Sequence, residues 1–224
     1  MFFENDDLQL MVTITAKNVK SDKLIPFNAG GPKDIPLGGI FVKAKSKAIL
    51  TSGIEFSYKP KVFKVKILTL SDRASEGIYE DKSGELIIEM VKEFFDNSNR
   101  LYDIDKEIIP DDKESLEKLF NESISQKYDI IFTTGGTGIG PRDITPDVIS
   151  PLLDKQISGI MELIRVKYGM QKPNALISRS IAGVKNQTLV YCLPGSSKGV
   201  KEYMTEILPT VFHSIYMLYE IQLH

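Results

Sequence analysis

The stretch YDIIFTTGGTGIGPRDITPDV, residues 128–148, decides how this chain is read. It starts as a short apolar run, passes four glycines within six positions (Gly135, Gly136, Gly138, Gly140) and enters TPD, where Thr145 reads as a helix cap and Pro146 as the first helical residue. The order is strand, loop, helix. Ordered glycine costs backbone entropy, so the cluster suggests a main chain that approaches something closely. Successive amide N–H groups in such a turn, followed by a helix N-terminus, form an anion nest, and phosphate is favoured here over a plain tight turn. Neither G-x-x-x-x-G-K-[ST] nor G-x-G-x-x-G is matched, so this is not a Walker A loop or a dinucleotide fingerprint.

The same alternation extends on both sides. FKVKILTL (63–70) reads as a strand, followed by the polar loop SDRASEGIYEDKSG (71–84) and a helix with Leu86, Ile87, Met90, Val91, Phe94 and Phe95 at helical spacing. YDIDKEIIP (102–110) is a second strand, and Leu116, Leu119, Phe120 and Ile124 line a second helix with Asp111 or Asp112 at its start. Beyond the glycine loop, TPDVISPLL (145–153) and GIMELIRVKYGM (159–170) read as helices and ISRSIAGV (177–184) as a short strand. A turn at 185–187, a buried strand TLVYCL (188–193), the loop PGSSKG and a helical region interrupted at Pro209 complete the chain. The fold class is α/β, a three-layer, mostly parallel sheet with helices on both faces, whose penultimate strand can run antiparallel through its hairpin-like turn.

Near residue 62 the texture changes. Residues 1–61 form a small β-rich segment of unknown role, with strands at VTIT (12–15) and IFVKAK (40–45) around the turn-rich stretch 28–39, and residues 62–224 form the larger domain. A formal charge of −2 supplies no basic footprint for nucleic acid. No apolar run reaches the length of a membrane span or a signal peptide, so a cytoplasmic protein away from membranes is expected. The one cysteine, Cys192, lies in an apolar strand and reads as a packed side chain rather than a nucleophile. His213 and His224 lie far from the loops, which argues against Ser-His-Asp or Cys-His hydrolysis.

In parallel sheets ligands bind beyond the carboxyl ends of the strands, and four polar loops leave such ends here. Asp111 and Asp143 can supply oxygens to magnesium, or cap the helices that follow them, with Asp112 as the alternative to Asp111. Ser71, Asp72, Arg73, Asp81, Lys82 and Ser83 suit a polar ligand or an exposed salt-bridged loop. Pro194 and Gly195 turn the chain while Ser196, Ser197 and Lys198 offer donors at a helix start, for phosphate or for capping.

Taken in order and spacing, SDRASEGIYEDKSG, IIPDD, TTGGTGIGPRDITPD, AxxSRSIAG and LPGSSKG resemble the molybdopterin adenylyltransferase family of molybdenum-cofactor biosynthesis, from residue 63 to about 220. The resemblance implies a homotrimer that uses ATP and a divalent cation such as Mg²⁺ to adenylylate the terminal phosphate of molybdopterin, releasing pyrophosphate, ahead of a molybdate-insertion protein. By position it assigns catalytic and metal roles to Asp111 and Asp143, and a substrate loop to Gly135, Gly136, Thr137 and Gly138, with Arg142 and Thr145 beside it. Ser196 and Ser197 take the place of pterin contacts, although Ser197 stands where the family usually has proline. SDRA at 71–74 is similar to the adenylylating branch rather than to the SGDE of molybdate-inserting relatives. A non-catalytic pterin-binding or carrier module remains an alternative, as does a nucleotide pyrophosphatase on the same fold, whose G-G-L-G-P-T-x-D-D pattern GGTGIGPRD does not match.

Overall fold

The computed structural model describes residues 61–219 in full and, nearer the N-terminus, the backbone of β1 (Val12–Ala16), β2 (Phe27–Asn28), β3 (Lys43–Ala44) and β4 (Phe56–Pro60). Two compact units result, residues 1–62 with 221–224, and residues 63–220. In the first, β1 pairs antiparallel with β4 and β2 with β3. VTIT lies within β1, whereas most of 28–39 and of 40–45 falls outside the described residues.

The larger unit alternates strand and helix: β5 (Val62–Leu70), α1 (Asp72–Ser75), α2 (Lys82–Asn97), β6 (Leu101–Ile109), α3 (Lys113–Ser125), β7 (Ile130–Thr134) and α4 (Thr145–Ile149). It continues through β8 (Lys155–Gln156), α5 (Ser158–Gly169), β9 (Ala182–Lys185), β10 (Thr188–Leu193) and α6 (Ser197–Leu218). Six strands form one sheet in the order β6-β5-β7-β10-β9-β8. β7 pairs parallel with both β5 and β10, while β9 runs antiparallel to β10 and to β8, so the sheet is mixed.

Every residue of β7 and β10 is buried, as befits strands covered on both faces. One face sets Leu68, Leu70, Ile131, Val190 and Cys192 against Leu116 and Phe120 of α3 and Val148 and Ile149 of α4. Burial pushes the Cys192 thiol up to about 12, so it is a packed apolar group at neutral pH. On the other face Phe132 stacks on Tyr191 at 5.5 Å, and Phe63, Phe95 and Phe212 cluster where α2 meets α6. The aromatic stripe of α2 is thus core.

Lys66 is the charged exception in the centre of β5. Its side chain is 4% exposed and its ammonium donates to Asp105 at 2.8 Å and to Glu107, both on β6. The Tyr128 hydroxyl donates to the same Asp105 carboxylate at 2.9 Å, which completes the network.

Several local readings are corrected. Pro209 lies inside a continuous α6, because Ile207, Val211 and Ile215 bury one face of that helix across the proline. The strand read at 177–184 begins only at Ala182, and β8 had no sequence signal of its own. α4 is capped at Ile144 rather than Thr145, whose hydroxyl instead donates 2.8 Å to the Gly135 carbonyl. Among the described residues, no helix is long and apolar enough to cross a membrane.

Candidate active site

The loops that follow β5, β6, β7 and β10 meet at one edge of the sheet through their backbones. The Ser71 amide donates to Ile109 O at 2.9 Å, and the Gly135 amide to Leu193 O at 3.1 Å. Thr134 Oγ1 donates to Pro194 O at 2.9 Å. A Cβ on Gly135 would lie 2.3 Å from Leu70 O, and one on Gly195 would lie 3.2 Å from the Gly135 Cα. Gly135 also has φ +102 and Gly136 φ +63, where a side chain is strained. Glycine here is a condition of close backbone approach.

Two aspartates tie the β5 and β6 loops together. The Asp111 amide donates to Asp72 Oδ1 at 2.9 Å, and the Asp72 amide makes a longer contact of 3.4 Å to Asp111 Oδ2. The guanidinium of Arg142, exposed on the glycine loop, forms an ion pair with Asp72. Burial, and then the charge of Asp143, raise the Asp111 carboxyl above its ordinary value. Asp111 and Asp143 are therefore close enough to feel each other. Asp112 faces elsewhere: its carboxylate caps α3 through the Ser115 amide at 2.8 Å, and the Ser115 side chain, then that amide, hold its carboxyl below the ordinary value.

The glycine loop folds over Asp143, whose Oδ2 accepts from the Gly140 amide at 2.8 Å. A Cβ on Gly138 would lie 2.6 Å from the same oxygen. Among the described residues the amides of Gly136, Thr137, Gly138 and Ile139 donate to no protein acceptor. Four successive donors near a carboxylate pair make a surface that can take an anion together with a cation.

The other candidates divide. Ser71 caps α1 through the Ala74 amide at 3.2 Å, and Ser196 caps α6 through Gly199 at 3.2 Å. Arg73 lies over the Tyr79 ring at 5.8 Å. Asp81, 7% exposed, caps α2 and accepts from Gly84 N at 2.8 Å, Thr69 Oγ1 at 2.8 Å, Ser83 Oγ at 3.1 Å and Lys106 Nζ at 3.3 Å. Burial alone would raise its carboxyl, but these donors outweigh it and hold Asp81 below the usual carboxylate range. Its lone pairs and the Ser83 hydroxyl are thus engaged within the loop. Pro194 and Gly195 lead into α6 beside the glycine loop, and Ser197 and Lys198 begin that helix, with Lys198 3.7 Å from Glu202.

Sequence reasoning passed over Arg179. Its Nε donates to Gly138 O at 2.6 Å, its Nη1 to both Asp147 oxygens at 2.7 and 2.9 Å, its Nη2 to Asp143 O, and its own amide to Thr137 O at 2.8 Å. The SRS run of the AxxSRSIAG motif was its only signal.

Comparison with known proteins gives a consistent picture. Residues 66–213 match the family described as probable molybdopterin binding domain. The molybdopterin adenylyltransferase of Pyrococcus furiosus is 40% identical over 160 residues, covering 69% of this chain and 90% of that protein. Gephyrin from Dictyostelium discoideum is 38% identical over 168 residues, 72% of this chain, which spans only 23% of gephyrin's length. The solved structure of the tungsten cofactor synthesizing protein MoaB from Pyrococcus furiosus superposes with a TM-score of 0.63 at 35% identity, covering 73% of this chain and all of that one.

Proposed function

Since this chain belongs to the molybdopterin-binding domain family of molybdenum cofactor biosynthesis, we propose that it is a molybdopterin adenylyltransferase that transfers the adenylyl group of ATP to the terminal phosphate of molybdopterin. One observation carries the reading: an amide-lined glycine loop holds the Asp143 carboxylate at the same rim as Asp111. In the reaction a phosphate oxygen of the pterin attacks the α-phosphorus, the bond to the β-phosphate oxygen breaks, and pyrophosphate leaves with the bonding electrons. No side-chain nucleophile or general base is needed, in keeping with a rim without histidine. Fixed donors and positive charge do the work by orienting two anions that would otherwise repel.

The amides of residues 136–139 bind and orient phosphate oxygens, and Arg142 and Lys198 add positive charge at the edges. Asp111 and Asp143 fit a hard divalent cation such as Mg²⁺, which takes one or two carboxylates with phosphate and water oxygens. When bound, that ion would neutralise charge on the phosphates. Leu163 and Val166 on α5 and Met170 just past its end are exposed apolar residues suited to burial against another copy, in keeping with the homotrimer that the family resemblance implies. The product would pass to a molybdate-insertion protein.

Asp143→Asn tests this. It should retain molybdopterin binding while pyrophosphate release with ATP and Mg²⁺ falls by about 100-fold or more, the scale of losing a main electrostatic contributor. Turnover near the wild-type rate would remove the carboxylate role.

A further inference from the structure

Arg179 touches more of the glycine loop than any residue within that loop's own sequence. It comes from the segment before β9, 41 residues from Gly138 and 32 from Asp147, yet it takes the carbonyls of Gly138 and Asp143, both oxygens of Asp147 and, through its own amide, the carbonyl of Thr137. A planar trans peptide points its C=O and its N–H in opposite directions. With the carbonyls of Thr137, Gly138 and Asp143 turned towards Arg179, the amides of Gly138, Ile139 and Ile144 are turned away from it. No cis peptide interrupts that logic. The bond to the Asp147 carboxylate raises the guanidinium further above its ordinary value, and an arginine is cationic in either case.

We propose that Arg179 is a positioning residue that sets the glycine loop in its anion-accepting shape. It fixes which way the loop peptides face, and it carries the backbone of Asp143 on the same guanidinium. The planar fork is essential to this. Lysine offers the same charge as a point and cannot hold two carbonyls and a bidentate carboxylate together. The kinetic part of the inference rests on the adenylylation reading; the structural part does not.

The test compares Arg179→Lys with wild type in hydrogen exchange, in calorimetric binding of inorganic pyrophosphate, and in adenylylation kinetics. Arg179→Lys should melt close to wild type and exchange the amides of Gly140 and Thr145, which are bonded to Asp143 Oδ2 and to Gly136 O, at least about 10-fold faster. Exchange in β7 and β10 should not change. Pyrophosphate affinity should fall about 10-fold, and KM for ATP should rise by a similar factor with kcat altered much less, as expected when phosphate binding shared by ground and transition states is weakened. Loop exchange and pyrophosphate affinity equal to wild type in the lysine variant would overturn the proposal, since charge alone would then suffice. Acceleration spread equally through β7 and β10 would also overturn it, leaving Arg179 as a general support of the fold. A wild-type protein that binds pyrophosphate, weakens on Arg179→Lys and yet adenylylates nothing would keep Arg179 in its role and remove the proposed reaction.

Discussion

Asp81, at the start of α2, gives its carboxylate to Gly84, Thr69, Ser83 and Lys106, whereas Asp111, just beyond β6, meets the Asp72 amide at 3.4 Å and the like charge of Asp143. Both sit in polar loops leaving strands of one sheet, and the sequence puts both among the candidate site residues. The first is held below the ordinary carboxylate range and the second above it. The difference separates charge consumed by folding from charge left for a ligand, and functional sites commonly keep the latter at some cost to stability.

The largest effect that would break this contrast is on folding. Asp81→Ala removes a helix cap and one partner of a buried ion pair, and is expected to cost about 3 kcal/mol in denaturant unfolding. Asp112→Ala, which removes only the cap of α3, should lower the denaturant midpoint by less than Asp81→Ala does and leave adenylylation intact. The smallest expected change has the opposite sign: Asp111→Asn should raise the melting temperature slightly at neutral pH while adenylylation is lost.

Acid titration sharpens the same comparison. A lowered carboxyl such as Asp81 stabilises the fold above the unfolded value of about 3.9, and that contribution disappears as pH falls through the lower folded value. A raised carboxyl such as Asp111 behaves the other way. Its folded form costs nothing extra below about 3.9, and the cost enters as pH rises through its raised value. The advantage of Asp111→Asn over wild type should therefore vanish in acid, and an advantage equal at all pH values would contradict the raised carboxyl of Asp111, which burial and then the charge of Asp143 produce.

The alternation of elements was legible because apolar periodicity and glycine punctuation are local. So was the rim, since TTGG, IIPDD and LPGSSKG each follow a strand. What escaped depended on which partner each group meets in the folded chain, near or far. Thr145 obeyed a capping rule on paper, but the Gly135 carbonyl ten residues earlier claimed its hydroxyl. Pro209 looked like a break, and packing of Ile207, Val211 and Ile215 carried the helix through it. Asp111 and Asp112 could not be told apart until the Ser115 amide took one of them. Arg179 was invisible because all its acceptors lie more than thirty residues away.

The ammonium of Lys66 has a consequence for catalysis that lies in the pairing of strands. β6 is at the margin of the sheet, where alignment is least constrained, and it delivers Asp111 from its last residues. Slipping β6 by one position would turn Asp105 and Glu107 to the opposite side and strand a cation inside the protein. The lysine thus makes misalignment of this outermost strand expensive, and in doing so keeps Asp111 within reach of Asp143.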